Sequence, residues 1–262
     1  MSSLRDEILG ISNTKGIIIE QKLNKLFYEK PKIDEESRFI KLVLSKNGFN
    51  QDRAGLHASA IIASEDEFCY REQILSLFFQ MSQGENIPIK LKRIFEEGNS
   101  IHEKWQRLIV RGGLGKPENM DRTSYCDKYD LSYTPDIRCM IHNKKYIGEI
   151  KSVNTFQFKK MKSHPSGAKQ LKLYMHLTGV HDGFVLCEDK NTQDIKVFTP
   201  EYNEDDLAPY IERLEAIQEY KDRFINEKRM VKRKCSSPSC KRASKCNMKD
   251  ACWNIGIGRK KL

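Results

Sequence analysis

Apolar residues recur at helical spacing between Ile89 and Val110. There Ile94, Ile101, Trp105 and Leu108 form one stripe, with Phe95 and Ile109 at its edge. Further along, the period shortens. Residues 135–141 and 146–153 read as short strands, and the polar stretch His142-Asn143-Lys144-Lys145 between them suits a hairpin turn. Other strand-like runs lie near 122–128, 182–188 and 194–198. Pro165-Ser-Gly167 starts a helix that Gly179 stops, between the third and fourth of these strands. Residues 204–229 predict a long charged helix. Residues 1–55 look helical and mixed in charge, with apolar positions at Ile8, Ile11, Leu23, Leu26 and Phe27. Loops are expected at Gly84–Pro88 and at 112–118. Strands followed by a crossover helix and further strands imply an α/β fold with a mixed central sheet flanked by helices.

The organisation expected is a helical N-terminal extension over 1–55, a core over 56–230 and a basic, cysteine-rich segment over 231–262. Charge supports the last division. The chain of 262 residues carries a net charge of +10, and residues 231–262 hold ten Lys or Arg against one acid, Asp250. The other residues are therefore nearly neutral, and the terminal segment suits a phosphate backbone. No apolar run approaches the roughly eighteen residues of a membrane span, and Met-Ser-Ser-Leu-Arg-Asp-Glu lacks a signal peptide's apolar segment. The expected location is intracellular, in the cytoplasm, with no membrane partner.

Eight cysteines in a reducing compartment argue against a disulfide framework. Cys126, Cys139 and Cys187 sit in strand-like apolar contexts and read as core residues. Cys235, Cys240, Cys246 and Cys252 lie among Lys, Ser, Asn and Asp, where thiols have no packing role, and this points to metal. Four thiolates suit tetrahedral Zn²⁺, although zinc sites more often show Cys-x-x-Cys pairs. Iron–sulfur clusters are also four-cysteine sites.

The candidate chemistry lies in the hairpin. Side chains two apart on a strand share a face, so Glu149 and Lys151 point the same way. Pairing Ile141 with Tyr146 would set Asp136 opposite Lys151 and Arg138 opposite Glu149, and the two acids and the lysine would converge. A slip of one residue would destroy that convergence. Two carboxylates bind a hard cation such as Mg²⁺ or Mn²⁺, which polarises a phosphoryl oxygen and acidifies a bound water. Lys151 can position that water or neutralise charge on the phosphate, and the carbonyl of Ile150 offers one more ligand. The plainer alternative is a surface hairpin with a cross-strand ion pair.

Two further pairs bear on that choice. His102 lies on the Phe95/Ile109 side of the 89–110 helix, facing inward or at the margin, where a neutral imidazole could join the carboxylates. Gly98 is one turn earlier. A mid-helix glycine costs about 1 kcal/mol relative to alanine, so close approach of another backbone is expected there. Gln170 and Tyr174, four apart, share one helical face and could orient a phosphate, a nucleotide or Lys151.

In this order the pieces resemble the PD-(D/E)XK nuclease superfamily, in its RecB-like and Cas4-like branch. Gly98 and His102 match a helical Gly-x-x-x-His, Asp136 the strand aspartate, Glu149-Ile150-Lys151 the Glu-x-Lys, and Gln170 with Tyr174 the Gln-x-x-x-Tyr. The resemblance covers about residues 60–255. It implies a restriction-endonuclease-like core with a metal bound by His102, Asp136, Glu149 and the Ile150 carbonyl, and catalysis by Lys151 with Gln170 and Tyr174. It also implies a 4Fe–4S cluster held by one early cysteine, Cys69, and three late ones: Cys240, Cys246 and Cys252, with Cys235 as the alternative. Here the sequence departs from the family, because its four late cysteines are separated by gaps of four, five and five residues and contain no Cys-x-x-Cys pair.

The resemblance makes the expected activity a Mg²⁺- or Mn²⁺-dependent deoxyribonuclease, an exonuclease on single-stranded DNA or DNA ends. Protein partners from recombination, replication or CRISPR adaptation would fit such an enzyme. The rival is a non-catalytic DNA-binding or assembly module with a degenerate nuclease fold and structural zinc.

Overall fold

The computed structural model describes residues 4–28, 32–45, 55–79 and 88–254. Its helices are α1 (Leu4–Lys25), α2 (Ile33–Ser45), α3 (Ala58–Ile61), α4 (Tyr70–Phe78), α5 (Ile89–Arg111), α6 (Thr155–Lys160), α7 (Pro165–Thr178), α8 (Ala208–Glu227) and α9 (Lys249–Asn254). The strands are β1 (Leu56–His57), β2 (Ser124–Cys126), β3 (Leu131–Tyr133), β4 (Ile137–Ile141), β5 (Lys144–Val153), β6 (Gly183–Asp189) and β7 (Ile195–Phe198). The side chains of Ile8 and Ile11, and residues 84–87 of the expected Gly84–Pro88 loop, lie outside the described residues.

These elements form two compact units. One contains α1, α2, α5–α7 and β4–β7; the other contains β1–β3, α3, α4, α8 and α9. The chain passes back and forth between them, so neither is a single consecutive segment.

The first unit is built on a sheet of order β4-β5-β6-β7, in which only the β5/β6 pair is parallel. It is the mixed sheet that the strand–helix–strand pattern implies. Every residue of β6 is buried, as expected of an inner strand covered on both faces. The even-numbered positions Tyr146 and Ile150 of β5 join a core with Trp105, Ile109 and Leu108 of α5 and Leu23 and Ile19 of α1. The odd-numbered positions face α7, whose Gln170 reaches Lys151. Helices therefore flank both faces. The N-terminal helix belongs to this core: at Gly16 a Cβ would stand 2.6 Å from the Val197 carbonyl oxygen of β7, so only glycine lets α1 lie that close. Helix α7 starts on Pro165 and stops at Gly179, whose φ of +67° suits a residue without a Cβ.

Helix α5 departs from the sequence expectation at its N-terminal end. Ile101, Trp105, Leu108 and Ile109 are buried, but Ile94 and Phe95 are exposed. The apolar stripe is continuous in sequence, yet only its second half is covered.

The hairpin register also differs. Met140 pairs with Lys145, Cys139 with Tyr146 and Ile137 with Gly148, two residues away from the pairing assumed above. The cause is the turn. His142 and Asn143 have φ of +49° and +61°, the signature of a two-residue type I′ connection, so the strands begin to pair immediately on either side of it. A shift of two preserves every side chain's face, whereas a shift of one would invert it.

In the second unit a three-stranded sheet has the order β1-β3-β2. Residues 124–126 thus belong to this small sheet and not to the central one. The buried Arg213 of α8 donates to the carbonyls of Ile61 and Ala63 at 2.8 and 2.6 Å and pairs with Glu65. Its guanidinium lies 4.4 Å from the Phe68 ring centroid. Cys139 and Cys187 are buried, whereas Cys126, on β2, is partly exposed. Among the described residues no helix is long and apolar enough to cross a membrane.

Candidate functional site

Asp136 immediately precedes β4. Because Ile137 lies opposite Gly148, Asp136 falls beside Glu149 rather than Lys151. Beyond this point β5 has no β4 partner, and the Ile150 amide donates instead to Asp136 Oδ2 at 2.7 Å. In a strand the N–H and C=O of one residue point to the same side, so the Ile150 carbonyl also faces the Asp136 side. The backbone oxygen of Asp136 accepts from the Asp121 amide at 3.2 Å and from Gln106 Nε2 at 3.0 Å. The carboxylate is therefore held on a backbone that is itself anchored.

Helix α5 brings His102 to the same point, with Nδ1 3.4 Å from Asp136 Oδ1. Gln106 is one turn further on, on the same face. The Gly98 expectation needs correction. A Cβ there would meet only the Ser152 hydroxyl, at an ordinary 3.7 Å. No backbone approaches, and this contact does not require glycine.

On the face of the sheet that Asp136 shares with Glu149, Lys151 Nζ donates to Glu149 Oε1 at 2.7 Å and to Gln170 Oε1 at 3.2 Å. Gln170 Nε2 in turn donates to the Tyr174 hydroxyl at 2.8 Å. The close fit of α7 depends on Gly167: a Cβ there would stand 2.9 Å from His164 Nδ1 and 3.0 Å from Val185. His164 caps the helix by accepting from the Gly167 amide at 3.0 Å.

The electrostatics follow from burial among like charges. Burial pushes the Glu149 carboxyl up to about 8, with neighbouring Asp136 adding to the rise against the opposing pull of Lys151. Burial works against the charge on Lys151, but Glu149 outweighs it and raises the lysine's pKa. The same contest raises His102: burial lowers it, and the hydrogen bond and charge of Asp136 prevail, with Asp121 and Glu149 contributing. Burial and the Lys151 charge hold His164 below the usual histidine range. One atom of the group has no partner: Glu149 Oε2 is buried without a hydrogen bond. A buried carboxylate oxygen in that state is costly, and a cation is the partner its chemistry fits.

The structure thus brings together all of His102, Asp136, Glu149, Ile150, Lys151, Gln170 and Tyr174. It adds Gln106, Asp121 and His164, which the motif reading passed over. Only His164 carried a signal, as the residue before Pro165, where an N-cap is expected. Among the described residues, no three His, Cys, Asp or Glu side chains stand close enough together to hold a metal ion. In the hairpin group the Lys151 ammonium takes one Glu149 oxygen, and Asp136 is divided between His102 and the Ile150 amide. The donor types nonetheless fit a hard divalent cation, and the orphaned oxygen fits it as well.

The cysteines gather in the second unit. Cys69, Cys235, Cys246 and Cys252 line one cavity of about 20 Å³, roughly the room of a single water. Cys69 lies at the N-cap of α4. Cys252 Sγ accepts from Arg71 Nε at 3.1 Å. Cys240 is not in the cavity wall. It is hydrogen-bonded to Cys235, and its Sγ accepts from the Ala243 amide at 3.4 Å. That amide, with those of Ser237 and Arg242, brings its thiol down to about 7. Burial, with Glu72 alongside, pushes Cys246 up to about 12. The donor chemistry fits a thiolate-bound metal centre, but the space is smaller than a four-iron cluster needs.

No protein-family model matches the chain, and no curated protein does. Solved structures do resemble it, among them the following three. An alkaline exonuclease from Laribacter hongkongensis, LHK-Exo, matches with 17% identity and a TM-score of 0.46. LHK-Exo in complex with dAMP matches with 16% identity and a TM-score of 0.49. Each match covers 66% of this chain and 90% of the other. The structure of SSO0001 matches with 12% identity and a TM-score of 0.38, covering 70% of this chain and 84% of that one.

Proposed function

We propose that the first unit carries a metal-dependent deoxyribonuclease of the PD-(D/E)XK type. The observation behind this reading is a set of two adjoining runs of contacts, from His102 through Asp136 to the Ile150 amide, and from Glu149 through Lys151 and Gln170 to Tyr174. Together they leave one buried carboxylate oxygen without a partner. An ordinary surface ion pair would not be buried and would not draw together α5, the residue before β4, β5 and α7.

His102, Asp136, Glu149 and the Ile150 carbonyl would hold Mg²⁺ or Mn²⁺. Such an ion supplies Lewis-acid polarisation of the phosphoryl oxygen and lowers the pKa of a bound water. Lys151 is kept protonated by its carboxylate neighbours, so its role is to orient the water and to offset charge developing on the phosphate, not to abstract a proton. Gln170 fixes the Lys151 ammonium, and Tyr174 fixes the Gln170 amide. The water oxygen bonds to phosphorus as the bond from phosphorus to one sugar oxygen breaks; the water gives up a proton to solvent and the departing sugar oxygen takes one from solvent, leaving a phosphate monoester and a sugar hydroxyl. We read the enzyme as an exonuclease on single-stranded DNA or DNA ends, in the manner of RecB-like and Cas4-like enzymes. The test is cleavage of end-labelled DNA in Mn²⁺ by the wild type and by Glu149→Gln; equal rates would refute the assignment.

For the second unit we propose a cysteine-bound metal centre: a 4Fe–4S cluster on the ligand pattern of the resemblance, with a single Zn²⁺, which the cavity of about 20 Å³ suits better, as the alternative. Cys69, Cys246 and Cys252 are the common ligands. The cavity wall favours Cys235 over Cys240 as the fourth. Anaerobically purified protein that is brown and absorbs near 400 nm supports the cluster, whereas colourless protein containing zinc contradicts it.

A further inference from the structure

A cavity of the first unit, of about 460 Å³, takes no part in the arrangement above. Its size falls within the range of small-molecule sites. Four cations from separate segments line it: Lys32 before α2, Lys116 after α5, Arg138 on β4 and Lys145 on β5. The single carboxylate among them, Glu35, is already committed to Arg38 at 3.2 Å. Among the described residues, no ion pair engages Lys32, Lys116 or Lys145. Elsewhere in this unit lysines find acids: Lys15 and Lys144 share Asp182 at 2.6 and 2.7 Å, and Lys104 takes Glu188.

The rest of the wall is mostly apolar, with Leu114, Ile147 and Val180 among its residues, and adds the polar side chains of Asn119 and Thr178. A bare inorganic anion would leave that surface and most of the volume unused. The ligand that fits both parts has an anionic head and an apolar body. Arg138 and Lys145 also share a face of the hairpin with Asp136 and Glu149, as the register requires. At roughly 3.4 Å per residue, Arg138 is about 7 Å along the strand from Asp136.

We infer that this cavity binds a nucleotide, its lysines taking the phosphate and its apolar wall the sugar and base. The nucleotide identity rests on the nuclease reading; the pairing of an anionic head with an apolar body does not. The phosphate has two possible sources, a free mononucleotide released by cleavage or the terminal nucleotide of a strand.

The experiment is calorimetric titration of the full chain, in EDTA, with thymidine 5′-monophosphate, thymidine and inorganic phosphate. Thymidine monophosphate is expected to bind at least about tenfold more tightly than either fragment. The Lys116→Ala/Lys145→Ala protein should lose about tenfold or more in affinity, and the Lys116→Arg/Lys145→Arg protein should retain most of it. Competition by short oligonucleotides bearing a 5′-phosphate, a 3′-phosphate or neither assigns the source. A strand end competes only with its phosphate, whereas no competition by any oligonucleotide points to the free product. Unchanged affinity in the folded double-alanine protein, or equal binding of thymidine, overturns the inference. Lysine-dependent binding in a protein that cleaves nothing would keep this site and remove the nuclease reading. Glu149-dependent cleavage with lysine-independent binding would do the reverse.

Discussion

The hairpin group of the first unit and the cysteine group of the second place reactive side chains by different means. In the hairpin, β5 sets the direction of Glu149 and Lys151, and α7 and α5 close on them from opposite faces. Of the group's buried side-chain polar atoms, only Glu149 Oε2 lacks a hydrogen bond. In the cysteine group the chain from 228 to 248 has little regular structure, and the thiols are placed by turns, by Arg71 and by backbone amides. Regular structure tolerates error: the hairpin register differs by two residues from the sequence expectation, and the chemistry is unaffected because the strand's period is two. An irregular segment has no such period, so spacing alone could not rank Cys235 against Cys240.

The largest expected effect tests the engaged side. Lys151→Ala should reduce cleavage by about 10³-fold or more, measured on end-labelled DNA in Mn²⁺. A loss under tenfold would put Lys151 outside the reaction. On the irregular side, Cys246→Ser should lose bound iron and the absorbance near 400 nm, and Cys235→Ser should lose more of it than Cys240→Ser. The opposite ranking would mean that Cys240 replaces Cys235 at the centre.

A smaller effect probes how far positioning extends. Gln170→Ala frees the Lys151 ammonium and leaves the Tyr174 hydroxyl without its amide. Cleavage should fall about 10- to 100-fold, as for outer-shell partners generally, mainly in kcat, with recovery in Gln170→Glu. A change confined to KM would instead place Gln170 on the substrate.

The smallest effect is thermodynamic. Folding raises the Glu149 pKa from its ordinary 4.5 to about 8. Between those values the native state keeps a proton that the unfolded chain has lost, so stability falls as pH rises through that window. Glu149→Gln removes the penalty. Without metal, its Tm should exceed the wild type's by a few degrees at pH 8, and the gap should close towards pH 4. A constant gap across that range would mean that Glu149 titrates normally.

Much of this arrangement was legible in the chain. The mixed sheet, α7 with its Pro165 and Gly179 ends, and the shared face of Glu149 and Lys151 all follow from local periods and stop signals. What escaped has identifiable causes. The positive φ of His142 and Asn143 made a two-residue turn out of a polar stretch that reads as four. Ile94 and Phe95 carry the apolar spacing of a buried face, but burial depends on a neighbour that the stripe cannot specify. Gln106 and Asp121 matter through contacts to the Asp136 backbone, which no side-chain motif encodes.

The proposed cleavage requires a single cation held between Asp136 and Glu149. Anomalous diffraction at the manganese edge, from crystals soaked in Mn²⁺, tests this directly. A peak is expected about 2.2 Å from a carboxylate oxygen of each residue, absent in crystals of Glu149→Gln. A peak bound elsewhere, or none in the wild type at saturating Mn²⁺, would contradict that requirement.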